Sequence, residues 1–192
     1  MENMNMTPST KNGNTGGPVF HDGDAPSSYP IHVKNGIEDA SNLQFKYSIL
    51  LNDEVERLND TRLLAAVDEW YGVRYRYGGT SKTGVDCSGF TSTIYQSAYG
   101  VSLSRISTDQ YKESRHISMD ELQEGDLVFF NIRGRGVSHV GIFLRNNKFI
   151  HASLRDGVRV DDLSVGFYRD HFVSGGRVES RPEPARATVS SH

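Results

Sequence analysis

The chain has 192 residues, a formal charge of −3, and 36% hydrophobic against 23% charged residues. That composition suits one soluble domain with a sizeable core, and the charge leaves no basic stripe for nucleic acid. No apolar run approaches the roughly 18 residues a membrane span needs, and a single cysteine, Cys87, excludes an internal disulfide, while no paired Cys/His spacing suggests structural zinc.

Residues 1 to about 36 are rich in Asn, Thr, Ser, Gly, Pro and Asp, with Val19, Phe20, Tyr29 and Ile31 as scattered apolar anchors. Such a segment buries too little to offset its ordering entropy, so it is expected to be a disordered leader or tether. It holds no basic stretch followed by an apolar one, and hence no signal peptide. Residues 37–60 are expected to form a helical extension, with Ile37, Leu43, Tyr47, Leu50 and Leu51 as its apolar positions. Asp60 is placed to cap a second helix carrying Leu63, Leu64, Val67 and Trp70 on one face and closed by Gly72.

The turn Tyr75-Arg76-Tyr77-Gly78-Gly79-Thr80 leads into Gly84-Val85-Asp86-Cys87-Ser88-Gly89-Phe90. From Cys87, the apolar residues Phe90, Ile94 and Ala98 recur at helical spacing until Gly100, which makes Asp86 the N-cap. A cysteine in a first helical turn lies beside unsatisfied N–H groups and the positive end of the helix dipole. The expectation is a thiolate favoured over an ordinary thiol of pKa about 8.5.

The second half reads as strands. Leu127 to Ile132 is a continuous apolar run, left through the glycine-rich loop Arg133-Gly134-Arg135-Gly136, and Val137–Leu144 and Phe149–Leu154 form a hairpin across Arg145-Asn146-Asn147-Lys148. Arg159-Val160 adds a short strand, Leu163–His171 a helix and Val173–Val178 a closing strand, with a frayed tail over 180–192. A two-residue hairpin loop pairs residues summing to 293 and puts His139 and His151 on opposite faces. A three-residue loop, with Asn147 left-handed, makes the sum 292, sets Gly141 opposite His151 and puts both histidines on one face. The helix of Cys87 is expected to pack on that face, over Gly141.

A lone cysteine is ordinarily a small buried hydrophobe, and a lone histidine in an apolar run a satisfied core residue. Here Ser138-His139-Val140-Gly141 and Ile150-His151-Ala152-Ser153 follow a helix-capping cysteine, in the order of a Cys-His-third-group nucleophilic site. Together with Asp86-Cys87-Ser88-Gly89-Phe90 and Gly125-Asp126-Leu127-Val128-Phe129-Phe130, these motifs resemble the NlpC family of papain-like cell-wall cysteine peptidases over roughly 61–179. The resemblance implies an α+β, papain-like domain, with N-terminal helices on a mostly antiparallel sheet.

It also implies hydrolysis of peptide bonds in peptidoglycan stems, with Cys87 as nucleophile, His139 as base and His151 as its orienting partner. Tyr75, the Ser88 backbone N–H and Arg105 are the expected oxyanion or substrate-binding groups. Arg105 follows Ser104, where the family usually has proline. No cofactor or metal is called for, the partner is the stem peptide, and a monomer is expected. The resemblance places the protein outside the cytoplasm, with a signal or lipid anchor preceding the given sequence; a cytoplasmic protein is the competing reading. An inactive cell-wall peptide binder, or an amidase or acyltransferase of the same class, also stays open.

Overall fold

The computed structural model describes residues 42–182; the leader expected over 1–36 and the tail beyond 182 lie outside the described residues. Helix α1 (Asn42–Leu51) buries Tyr47 and Leu51 completely, and with Leu58 they join the core that holds Leu63 and Phe90. The described part of the 37–60 stretch is therefore continuous with the main core. Helix α2 (Thr61–Asp68) starts where the sequence predicts, its cap Asp60 accepting the Leu63 N–H at 3.1 Å. The second Asp60 oxygen accepts from the Tyr99 hydroxyl at 2.7 Å, tying α2 to the next helix.

A small ribbon of β1 (Thr80–Ser81) and β2 (Gly84–Val85) precedes α3 (Cys87–Tyr99). Asp86 caps α3 and Gly100 ends it at φ 69°, a left-handed conformation that costs most L-residues roughly 1–2 kcal/mol. Helix α4 (Ser107–Glu113) was not legible, because it buries only Ser107 and Gln110 and has no apolar period. Polar bonds dock it instead: Gln110 accepts from the Thr91 hydroxyl at 2.9 Å and donates to the carbonyls of Ser88 at 3.1 Å and Ser104 at 2.7 Å.

The remaining elements are β3 (Arg115–Ile117), β4 (Leu127–Phe130), β5 (His139–Phe143), β6 (Lys148–Ser153), β7 (Gly157–Asp162), α5 (Gly166–His171) and β8 (Phe172–Arg177). They form a six-stranded antiparallel sheet in the order β3-β8-β4-β5-β6-β7. The β5–β6 hairpin pairs Ile142 with Ile150 and Phe143 with Phe149, so the sum is 292 and the loop has three residues. Asn146 and Asn147 are both left-handed, at φ 49° and 59°. That register turns His139 and His151 to one face, with Phe130, Phe143 and Phe149.

The helix layer lies on the other face, which corrects the expected packing. Val140, Ile142, Ile150 and Ala152 share a core with Phe90 and Ile94 of α3, whereas Val128, Phe130, Phe143, Phe149 and Leu163 form a second cluster under Tyr168 and Phe172. The space at Gly141 is not helix space either. A Cβ there would come within 2.8 Å of the Phe149 ring and of the Ile150 carbonyl oxygen. Strand alternation explains the error, since the apolar residues flanking the histidines are the ones a helix buries.

The start of the predicted tail is anchored too. Asp126 is fully buried and receives Arg177 at 2.6 and 3.0 Å and Arg181 at 3.2 Å, and the Arg181 side chain is only 6% exposed. Removing that carboxylate leaves the buried Arg181 cation without its counter-charge, a change that costs about 3–5 kcal/mol. Asp126→Ala is accordingly expected to lower the urea midpoint steeply; an unchanged midpoint would show that the cluster contributes nothing net.

Candidate active site

Cys87 opens α3 and is 8% exposed. Its neighbour Asp86 is the hub of the local structure, because one carboxylate accepts the N–H groups of Gly89 and Gly78, each at 2.8 Å, and a bidentate Arg105 at 2.7 and 2.8 Å. Burial works against that charge, but Arg105 and the two N–H groups outweigh it and hold the carboxyl below its usual range. Arg105 also donates to the Ser88 hydroxyl at 3.0 Å and the Gly79 carbonyl at 3.1 Å. These bonds brace the loop around the helix start, and they absorb the Ser88 side chain as well. Tyr75, half-buried, pairs with Val85, and burial followed by the charges of Cys87 and Asp86 raises its hydroxyl.

The thiol does not behave as the helix-terminus argument predicts. Burial, and then the Asp86 carboxylate, push it up, while the N–H groups of Val140, Ser88 and Cys87 oppose them without prevailing. The sulfur is enclosed and its capping residue is an anion, so the dipole is outweighed. The Val140 N–H is nevertheless informative, since it joins the thiol to the peptide that follows His139. Iodoacetamide should therefore alkylate Cys87 slowly at neutral pH, with a rate still rising past pH 8.5, about the ordinary thiol value. A rate plateau well below that pH would mean a preformed thiolate.

On the neighbouring strands, His139 Nε2 and His151 Nδ1 are 2.7 Å apart, with the rings at 89°. Both side chains are buried; His151 stacks on Phe149 at 4.9 Å and His139 lies 6.0 Å from Phe130. Burial first, then His151 and Arg133, hold the His139 pKa well below its usual value, and burial lowers His151 against the pull of Asp161. The resting pair is neutral at neutral pH. Since both folded values lie below 6.5, the unfolded chain binds protons there that the folded chain refuses. Stability should fall as pH drops through about 6.5, read from urea midpoints across an acid series; midpoints flat across that range would contradict the shifts.

Two residues that sequence reading passed over complete the cluster. Asp161 Oδ2 lies 2.9 Å from His151 Nε2, and the Tyr168 hydroxyl lies 3.3 Å from the same nitrogen. Asp161 follows Arg159-Val160, which the sequence offers only as a short strand. The only available signal was parity: β7 pairs His151 with Arg159, so Asp161 shares the histidine face.

A thiol in the first turn of a helix, beside an antiparallel sheet that carries a histidine pair, is the arrangement of a papain-like α+β protein. The NlpC/P60 family model matches residues 72–177, and the chain belongs to that family. It is 34% identical over 144 residues to the "Probable endopeptidase NlpC homolog" of Haemophilus influenzae, covering 75% of this chain and 76% of that one. It is 36% identical over 121 residues to the Escherichia coli K12 protein named murein DD-endopeptidase MepS/murein LD-carboxypeptidase, covering 63% and 64%. Among solved structures, one described as similar to a lipoprotein of the NLP/P60 family, from Staphylococcus aureus, matches with a TM-score of 0.57 and 38% identity, over 62% of this chain and 41% of that one. The match thus spans just under two-thirds of the E. coli protein and less than half of the S. aureus one.

Proposed function

We propose that this chain is a cysteine endopeptidase that hydrolyses peptide bonds in peptidoglycan stem peptides or their cross-links, outside the cytoplasm. The observation that carries the reading is the buried 2.7 Å His139–His151 pair, on a strand whose Val140 N–H reaches the thiol in the first turn of α3, in a chain related to named murein endopeptidases. No described helix is long and apolar enough to cross a membrane.

In this reading His139 takes the Cys87 proton as the sulfur attacks the scissile carbonyl, because a neutral thiol and a neutral imidazole make proton transfer part of the attack. The oxyanion is held by the Cys87 or Ser88 backbone N–H, with the Tyr75 hydroxyl beside it. His139 then protonates the departing amine, leaving a thioester. Water, deprotonated by His139, hydrolyses the thioester and returns the thiol. His151 orients His139 throughout, and Arg105 acts on the reaction by bracing Asp86 and the helix start.

One observation favours a second reading. A thiol that burial and Asp86 hold protonated is also what an inactive peptide-binding domain would carry. Incubation of the full chain with purified stem peptides and cross-linked muropeptides, followed by mass spectrometry, separates the two. The peptidase reading expects new amine and carboxylate termini at one bond, whereas saturable binding without products would establish the binder.

A further inference from the structure

We propose that Asp161 is a positioning residue of this site, setting which nitrogen of each histidine carries its proton and so leaving one nitrogen of His139 bare to act as the base. The inference rests on the peptidase reading for its kinetic consequence, but its structural content stands without it. An ionised carboxylate only accepts hydrogen bonds, so His151 Nε2, 2.9 Å from Asp161 Oδ2, must carry a hydrogen and donate it. In a neutral imidazole the other nitrogen is then bare. His151 Nδ1 must therefore accept from His139 Nε2 at 2.7 Å, which makes that nitrogen the protonated one. His139 Nδ1 is left without a proton.

The surroundings fix the carboxylate in that role. Arg159, the cross-strand partner of His151, places its Nη2 nitrogen 2.8 Å from Asp161 Oδ1, so one oxygen is held by a cation while the other meets the histidine. Tyr168, from α5, stands with its hydroxyl 3.3 Å from His151 Nε2 and helps to hold the same carboxylate below its usual range. The other charged groups that act on the pair are Asp156 on His151 and Arg133 on His139. The protein thus offers His151 Nε2 an anion, and the charge that develops on His139 when it takes the thiol proton is balanced two residues along the line.

The geometry gives a test that a merely structural role fails. In Asp161→Asn, Arg159 demands the amide oxygen at the Oδ1 place, which turns the amide NH2 toward His151 Nε2. A donor there reverses both tautomers, so that Nδ1 of His139 is protonated and is no base. Asp161→Ala removes the acceptor without imposing a donor, and water or Tyr168 takes its place. We expect kcat to fall by at least about 100-fold in Asp161→Asn but only about tenfold in Asp161→Ala, with KM little changed in either. A side chain that only packs would give the opposite order, since Asn keeps its shape.

The decisive readout needs no activity: ¹⁵N spectra of imidazole-labelled full-length protein at neutral pH. Wild type should show both histidines protonated at Nε2, and Asp161→Asn both protonated at Nδ1. Wild-type His139 protonated at Nδ1, unchanged tautomers in Asp161→Asn, or an Asp161→Asn variant faster than Asp161→Ala would overturn the proposal. Absence of turnover in the wild type would count against the peptidase reading and leave the spectra to decide this one.

Discussion

Cys87→Ser is expected to lose turnover of stem peptides by a factor of about 10⁴ or more while unfolding at the wild-type urea midpoint. The hydroxyl is nearly isosteric with the thiol, so the enclosed position at the start of α3 is refilled without a cavity. What changes is the nucleophile. A serine hydroxyl is far less acidic and, in a site already hostile to an anion because of burial and Asp86, the attacking oxyanion is less accessible still. Loss of a nucleophile from a coupled site typically removes nearly all the rate that the site supplies. Turnover by Cys87→Ser at the wild-type rate would overturn the assignment, since nothing else in the proposed mechanism forms the acyl bond.

His139→Ala is the second large effect, expected to approach that of Cys87→Ser, because the neutral thiol then has no group to receive its proton. His151 should be graded. His151→Gln or Asn can still hydrogen-bond toward the His139 ring, so each should keep more activity than His151→Ala, whose gap leaves His139 Nε2 buried without a partner. The measurement is kcat and KM for the four variants on one stem peptide, and the losses should appear in kcat. Equal loss in all of them would give His151 a direct chemical role in place of an orienting one.

The parts of this site that could be read from the chain are those where local chemistry decides. Asp60 and Asp86 cap their helices, and Gly100 closes α3, because each was flanked by apolar residues at helical spacing. The hairpin register was legible for a similar reason: Asn tolerates the left-handed region, and only a three-residue loop puts His139 and His151 on one face. Contacts between distant elements were not legible. The polar docking of α4, the bracing of Asp86 by Arg105 and the approach of Asp161 to His151 each join residues that sequence spacing cannot bring together.

Two expectations fail for one physical reason, which is that a local preference yields to its surroundings. A helix N-terminus favours a thiolate, yet here the same turn carries the Asp86 carboxylate and the sulfur is buried. The histidine face was expected to meet α3, yet the apolar residues of the opposite face, Val140, Ile142 and Ile150, claim that helix. The thiol meets the histidine strand through the Val140 N–H, at the strand's beginning, and not across a shared face.

The central claim, a covalent peptidase acting through Cys87, is tested most directly by rapid acid quenching of the full chain during turnover of a stem peptide, followed by peptide mapping. The account predicts that the Cys87 peptide gains the mass of the amino-terminal product acid less one water, that the adduct decays as free product accumulates, and that it is absent from Cys87→Ala. Hydrolysis that proceeds at full rate with Cys87 unmodified at every time point, or in Cys87→Ala, would contradict it.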